Sequence, residues 1–187
     1  MRLSRFLTGA LALLASGFAV AGPVTWADNG HEYDVLRAEG ITWTDAQAAV
    51  GAMGGGWHLV TITSPGENAF VASLLPTTLP DRSHFWLGAS DAAVEGSFEW
   101  VTGETFAFSN WWGGEPNNVG NEDYLAFDLR SASWGWNDAP DTVGAIYGFA
   151  RGYIIERAPS TVPEPSSMAL LGLALLGAGL ASRRRKP

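Results

Sequence analysis

The chain contains no cysteine. That excludes disulfide bridges and a thiol nucleophile. Basic residues are scarce wherever a polyanion would need them. Of the 11 basic residues, Arg2 and Arg5 stand at the start and Arg183, Arg184, Arg185 and Lys186 at the end. Residues 22–163 hold five basic against eighteen acidic side chains, a net charge of −13, compared with −8 for the whole chain. Such a surface argues against nucleic acid and anionic membrane as partners, because both need counter-charge at the interface. No H-E-x-x-H, no G-x-S-x-G and no phosphate-cradling glycine loop occurs. The three histidines, His31, His58 and His84, lack metal-ligand spacing. Internal repeats are absent and charge runs are confined to the tail. Composition therefore points away from an enzyme.

Long apolar runs occur only at the two ends. Arg2 and Arg5 precede the largely apolar stretch Phe6 to Val20, and Ala19-Val20-Ala21 closes it with small residues. This is the pattern of a secretory signal over residues 1–21. At the other end Val162-Pro163-Glu164-Pro165 precedes Met168 to Ala181, and a basic cluster follows. That apolar run is shorter than the ~20 residues that span a bilayer comfortably, and its basic flank would stay on the cytoplasmic side. The layout resembles the PEP-CTERM sorting signal of Gram-negative bacteria. The resemblance implies export, transient inner-membrane anchoring by the tail, and processing by an exosortase at Pro163, Glu164 and Pro165. It also implies a place in exopolysaccharide or extracellular matrix. A permanent tail anchor is the alternative.

Between the ends the expected organisation is a lead-in over 22–30, one domain over 31–157, a linker over 158–165 and a sorting tail over 166–187. A domain of that length can bury a sizeable core. Its coarse order is strand, helix, helix, then a half rich in strands and loops. Thr44 can cap a first helix with Gln47 three residues on, while Ala46, Ala49, Val50 and Met53 repeat at helical spacing. Gly54-Gly55-Gly56 ends it. Ser64, Pro65 and Glu67 make a capping box for a second helix with an apolar stripe of Phe70, Val71, Leu74 and Leu75. Leu59–Ile62, Phe85–Gly88, Ser97–Val101, Tyr124–Asp128 and Gly152–Glu156 read as strands.

The segments that carry chemistry are Glu115-Pro116-Asn117, Glu122-Asp123 and Trp136-Asn137-Asp138. Glu115, Asn117, Glu122, Asn137 and Asp138 all offer hard oxygen, the donor type Ca²⁺ takes in sets of about six to eight. An amide can give its oxygen to a cation while its NH₂ donates outward. A carboxylate can bind with one oxygen and accept a hydroxyl proton with the other. That mixture suits a pair of neighbouring sugar hydroxyls around one ion. Each segment taken singly could be an ordinary polar turn.

These segments resemble the long-loop calcium and sugar site of C-type lectins, in the subset selective for mannose-type sugars. Ile41 to Ala48 resembles the start of that domain's first helix, and Gly55 through Ile62 the G-G-x-L-x-x-I stretch after it. Phe85-Trp86-Leu87-Gly88 stands for W-I-G-L, and Tyr153-Ile154-Ile155-Glu156 for F-I-C-E. The resemblance runs from about His31 to Arg157. It implies an α+β, C-type lectin-like fold with two helices, antiparallel sheets and a long calcium-binding loop. It further implies Ca²⁺ and carbohydrate on Glu115, Asn117, Glu122, Asn137 and Asp138, with a cis bond before Pro116. An auxiliary calcium site would use Asp91, Glu95, Asn118, Glu122 and Asp123. The chain departs from the family in its disulfides. Val50 and Ile155 stand in one cysteine pair, where an apolar contact can replace the bridge. Tyr124 and Asp141 stand in the other, where a hydrogen bond can. Trp136 is expected in packing, with Trp112 and Trp134 as secondary candidates for sugar contact. The rival reading is a structural or protein-binding matrix domain in which calcium only orders the loop.

Overall fold

Thr42, two residues before the expected cap, begins the first helix: its side chain accepts from the Asp45 amide, and α1 runs Trp43–Met53. Thr44 is instead held by Asp141, whose carboxylate accepts from both its amide and its hydroxyl. The earlier start turns Trp43, Ala46 and Val50 inward and leaves Met53 exposed. Gly54, at φ 65°, stops the helix, a conformation glycine adopts without a Cβ penalty. The second helix, α2, spans Pro65–Ser73 and begins as expected, with Ser64 accepting from the Glu67 amide. The Glu67 carboxylate does not close the box on Ser64. It reaches the amide and hydroxyl of Thr63 and accepts from the Tyr33 hydroxyl.

The computed structural model describes residues 22–141 and 149–159. Its strands are β1 Val24–Thr25, β2 Glu32–Arg37, β3 His58–Leu59, β4 Ser83–Ser90, β5 Glu99–Trp100, β6 Tyr124–Arg130, β7 Ser133–Ala139 and β8 Phe149–Arg157. They form one sheet in the order β1-β2-β8-β4-β6-β7, with β3 on β8 and β5 on β4. The sheet is mixed, which corrects the expectation of antiparallel sheets: β4 and β8 run parallel. A parallel pair needs a long crossover, and here the chain completes β5, the long loop and the β6–β7 hairpin before β8 returns between β2 and β4. Local alternation of side chains is the same in either direction, so the sequence carries no mark of it.

β4 is buried along nearly its whole length because it is covered on both faces. Alternation sends Phe85, Leu87 and Ala89 into one core with Val71 of α2 and Leu75 just after it. Trp86 enters the other core, with Trp43, Ala46 and Val50 of α1. Leu125 and Phe127 against Ala126, and Ile154 against Ile155, divide in the same way. Val50 and Ile155 share the α1 core. Tyr124 and Asp141 do not bond to each other. Tyr124 packs on Trp43 with ring centroids 4.8 Å apart, and Asp141 holds Thr44. Among the described residues no helix is long and apolar enough to cross a membrane. The signal and the tail, with its anchoring role and Pro163, Glu164 and Pro165, lie outside the described residues.

Candidate functional site

β7 was not among the expected strands, yet it builds the floor of the site. β6 and β7 pair in unbroken antiparallel register from Tyr124↔Ala139 to Arg130↔Ser133. Ser131 (φ 50°) and Ala132 (φ 58°) turn the hairpin. Two positive φ values in a two-residue loop are the twist a tight hairpin needs, but Ser-Ala lacks the Asn-Gly signature that advertises it. The long loop is stapled to this strand. Trp112 donates its amide to the Trp136 carbonyl, and Trp136 donates its amide to the Asn110 carbonyl. Trp136 is fully buried, as expected of a packing residue.

The loop then folds over Asn137 and Asp138. The bond between Glu115 and Pro116 is cis. Asp138 Oδ2 accepts from the amides of Asn117 (3.0 Å) and Asn118 (2.7 Å). Glu122 Oε2 accepts from the Val119 amide at 3.0 Å, and Asn118 Oδ1 accepts from the Glu122 amide at 2.7 Å. Asn117 Oδ1 accepts from Val119, and its amide nitrogen donates to Glu115 Oε2. The Asn137 amide nitrogen donates to the Asp138 carbonyl. The five expected residues thus form one connected polar network. Glu122, Asn137 and Asp138 are all buried.

Burial first, then the Asp138 charge, pushes the Glu122 carboxyl up to about 7. Burial also lifts Asp138 above the ordinary carboxylate range, against the amides that lower it. Asp138 Oδ1 is buried and has no hydrogen-bond partner, and the same is true of Asp91 Oδ1. A buried carboxylate oxygen without a partner is costly, and a hard cation is the kind of group that satisfies it. Among the described residues no three His, Cys, Asp or Glu side chains gather as a metal group of their own. Any cation here would have to use the amides as well, and the mixed donor set fits calcium in chemical type.

The auxiliary residues are only partly brought together. Asp91 donates its amide to the Asp123 carbonyl, and its Oδ2 accepts from Gly96 at 2.8 Å. Its carboxyl is raised, by burial first and by Asp123 further down. Glu95 is exposed, and Asp123 accepts from the Asn121 side chain. Asn118 and Glu122 are committed to the loop's own bonds.

Sequence reasoning missed Arg130 and Asp128. Arg130 Nη2 lies 2.7 Å from both Glu115 Oε1 and Asn137 Oδ1, and its Nε lies 2.7 Å from Asp128 Oδ2. The available signal was Arg130's rarity, as one of five cations within an acidic domain. Trp112 and Trp134 are used in packing. The Trp112 ring lies so close to β7 that a Cβ on Gly135 would come within 2.6 Å of it. Trp134 packs edge-on to Phe85 and Phe127.

Fold and loop together define a C-type lectin domain, and residues 39–147 match that family (lectin C-type domain). The chain belongs to this family. Residues 161–186 match the PEP-CTERM protein-sorting motif. The chain is 35% identical over 117 residues to a perlucin-like protein of Mytilus galloprovincialis, covering 62% of this chain and 73% of that one. Among solved structures it resembles the C-type lectin CEL-I of Cucumaria echinata, at 26% identity and a TM-score of 0.57, over 67% of this chain and 89% of that one. It also resembles the carbohydrate-recognition domain of cow CD23 in the presence of a GlcNAc2Man3 oligosaccharide, at 27% identity and a TM-score of 0.53, over 68% and 88% of the two chains. The family and its fold are those of binding domains, not of enzymes.

Proposed function

We propose that this chain is an exported, calcium-dependent carbohydrate-binding protein. Its ligands would be mannose- or glucose-type glycans or exopolysaccharide in a cell-surface or biofilm matrix. The observation that carries the reading is the Asp138 carboxylate. One oxygen fastens the loop through two amides, while the other is buried and unpartnered beside Glu122. Glu115, Asn117, Glu122, Asn137 and Asp138 would hold calcium, with Asp91, Glu95, Asn118, Glu122 and Asp123 as an auxiliary set. When bound, the ion supplies a Lewis acid for vicinal hydroxyls. The glutamates accept from those hydroxyls and the asparagine NH₂ groups donate to them. The likeness to C-type lectin CEL-I and to the CD23 domain studied with a mannose-containing oligosaccharide supports a sugar ligand. The sorting motif supports export and an exosortase as processing partner.

Calorimetry of the purified chain with calcium, and then with mannose and galactose, tests this. Calcium uptake followed by calcium-dependent heat with mannose is the expected result. Identical melting curves in calcium and in chelator would overturn the metal site, since a folded-state ligand stabilises by mass action. A second reading, calcium-ordered loops without sugar binding, is favoured by one observation. Glu115 and Asn137 already have a partner in Arg130. Calcium uptake with no sugar retained on a broad glycan array would select it.

A further inference from the structure

We infer that Arg130 is a built-in counter-cation of the long loop, so that calcium enters by displacing its guanidinium from Glu115 and Asn137. This rests on the calcium reading above and adds a mode of regulation to the same site. The two N–H bonds of one terminal nitrogen, Nη2, serve Glu115 Oε1 and Asn137 Oδ1, each at 2.7 Å. Those are two of the five donor side chains. Calcium lies about 2.3–2.6 Å from its oxygen ligands, so an ion touching both oxygens would sit against Nη2. A dication and a guanidinium at that spacing repel one another. Arg130 must therefore leave the pair for both oxygens to turn to metal.

Arg130 is held there by design of the hairpin rather than by chance at a surface. Its side chain is 23% exposed, against 60% for Arg82. Nε is fixed by Asp128 Oδ2, and the guanidinium lies over the Trp112 ring, 5.6 Å from its centroid. Trp112 is fixed in turn by donating Nε1 to the Asp128 carbonyl at 2.9 Å. Asp128 keeps a partner if Arg130 swings, because Arg82 Nη1 lies 3.3 Å from the same Oδ2. The planar guanidinium moves as one piece, so it can release Glu115, Asn137 and Asp128 together without leaving Asp128 unpaired. Exchange of one cation for another keeps the Glu115 charge compensated at low calcium and sets a threshold for loading.

The test is calcium titration by calorimetry on the full chain, comparing wild type with Arg130→Gln and Arg130→Lys. Arg130→Gln removes the competing charge and is expected to bind calcium about tenfold more tightly, while melting at a lower temperature in chelator. Arg130→Lys keeps the charge but cannot serve Asp128, Glu115 and Asn137 together, so its affinity should fall between the two. Equal or weaker binding by Arg130→Gln overturns the inference, as does a lysine variant identical to wild type. A measurement on the unmutated chain guards against misfolding of the variants. Calcium should shift the Arg130 side-chain N–H resonances and speed their exchange with solvent, and unmoved resonances would sink the exchange. If neither wild type nor variants take up calcium at millimolar concentration, the calcium reading falls and this inference with it. If all take it up alike, only the exchange falls.

Discussion

At Asp138 one carboxylate meets two opposed demands. Oδ2 satisfies the amides of Asn117 and Asn118, so the loop's shape depends on it even without a ligand. Asp138→Ala should therefore cost about 1–3 kcal/mol in urea unfolding with chelator present, from the buried donors left without acceptors. The same variant should lose most of any calcium-induced rise in melting temperature. His84 behaves differently. It is buried among β4 and its neighbours, and burial first, then the Arg151 charge, lowers its pKa to about 4 from 6.5. The folded state binds the proton less readily than the unfolded state. The contribution to stability is thus complete above pH 6.5 and lost as pH falls toward 4, up to about 3 kcal/mol. The raised carboxyls of Asp128 and Asp138 act in the opposite sense, so the contrast with His84→Leu isolates the histidine. Unfolding measured at pH 7.5 and pH 4.5 should show a smaller acid loss in that variant, and parallel losses would rule the account out.

Among the elements, β4 is shared by both cores, as β6 and β8 are. Gly88 sits where it passes the segment after β3, donating its amide to the Val60 carbonyl at 2.8 Å while its own carbonyl accepts from Val101. A Cβ there would lie 2.5 Å from the Leu59 carbonyl oxygen. That obstacle is backbone, not a side chain that could rotate away. Gly88→Ala should cost about 2–3 kcal/mol in denaturant unfolding, and a variant as stable as wild type would contradict the packing described. By contrast, Ser64→Ala removes one cap bond from α2 and should cost about 1 kcal/mol. Calcium uptake should be untouched by it, because α2 supplies none of the loop's donors.

For the molecule as a whole, the ends and the domain answer to different physics. The net charge of −13 over residues 22–163 lies between termini that carry most of the chain's cations. If the tail is processed as a sorting signal, mass spectrometry of material from the native host should find a carboxyl end near Pro163 to Pro165. Chains in the matrix that keep Arg183 to Lys186 would argue for a permanent anchor instead. Without disulfides the domain closes on itself through strand pairing and side-chain contacts. β2 pairs with β8 from Glu32↔Arg157 to Arg37↔Gly152. A network of buried Tyr33, Glu67 and Glu156 with half-buried His31 fastens the same region. Val50 and Ile155, the pair that the family resemblance sets at cysteine positions, lie in the same apolar core.

The sequence by itself determined the features that depend on neighbours along the chain. Ser64 and Pro65 start α2, Gly54 stops α1, and the oxygen-bearing side chains are named by their segments, because caps and donor chemistry are local. Glu115, Asn117, Glu122, Asn137 and Asp138 were legible as one group, and the folded loop joins them in one network. Tertiary structure decided what each atom is free to do. The parallel pairing of β4 with β8, the use of Asp141 by Thr44 and the flattening of Trp112 onto Gly135 all join distant positions that leave no local pattern. So does Arg130, which a two-residue turn without the usual Asn-Gly brings back against Glu115 and Asn137. An unpartnered Asp138 oxygen is likewise invisible in a string of letters, since being unpartnered is a fact about every other residue's position.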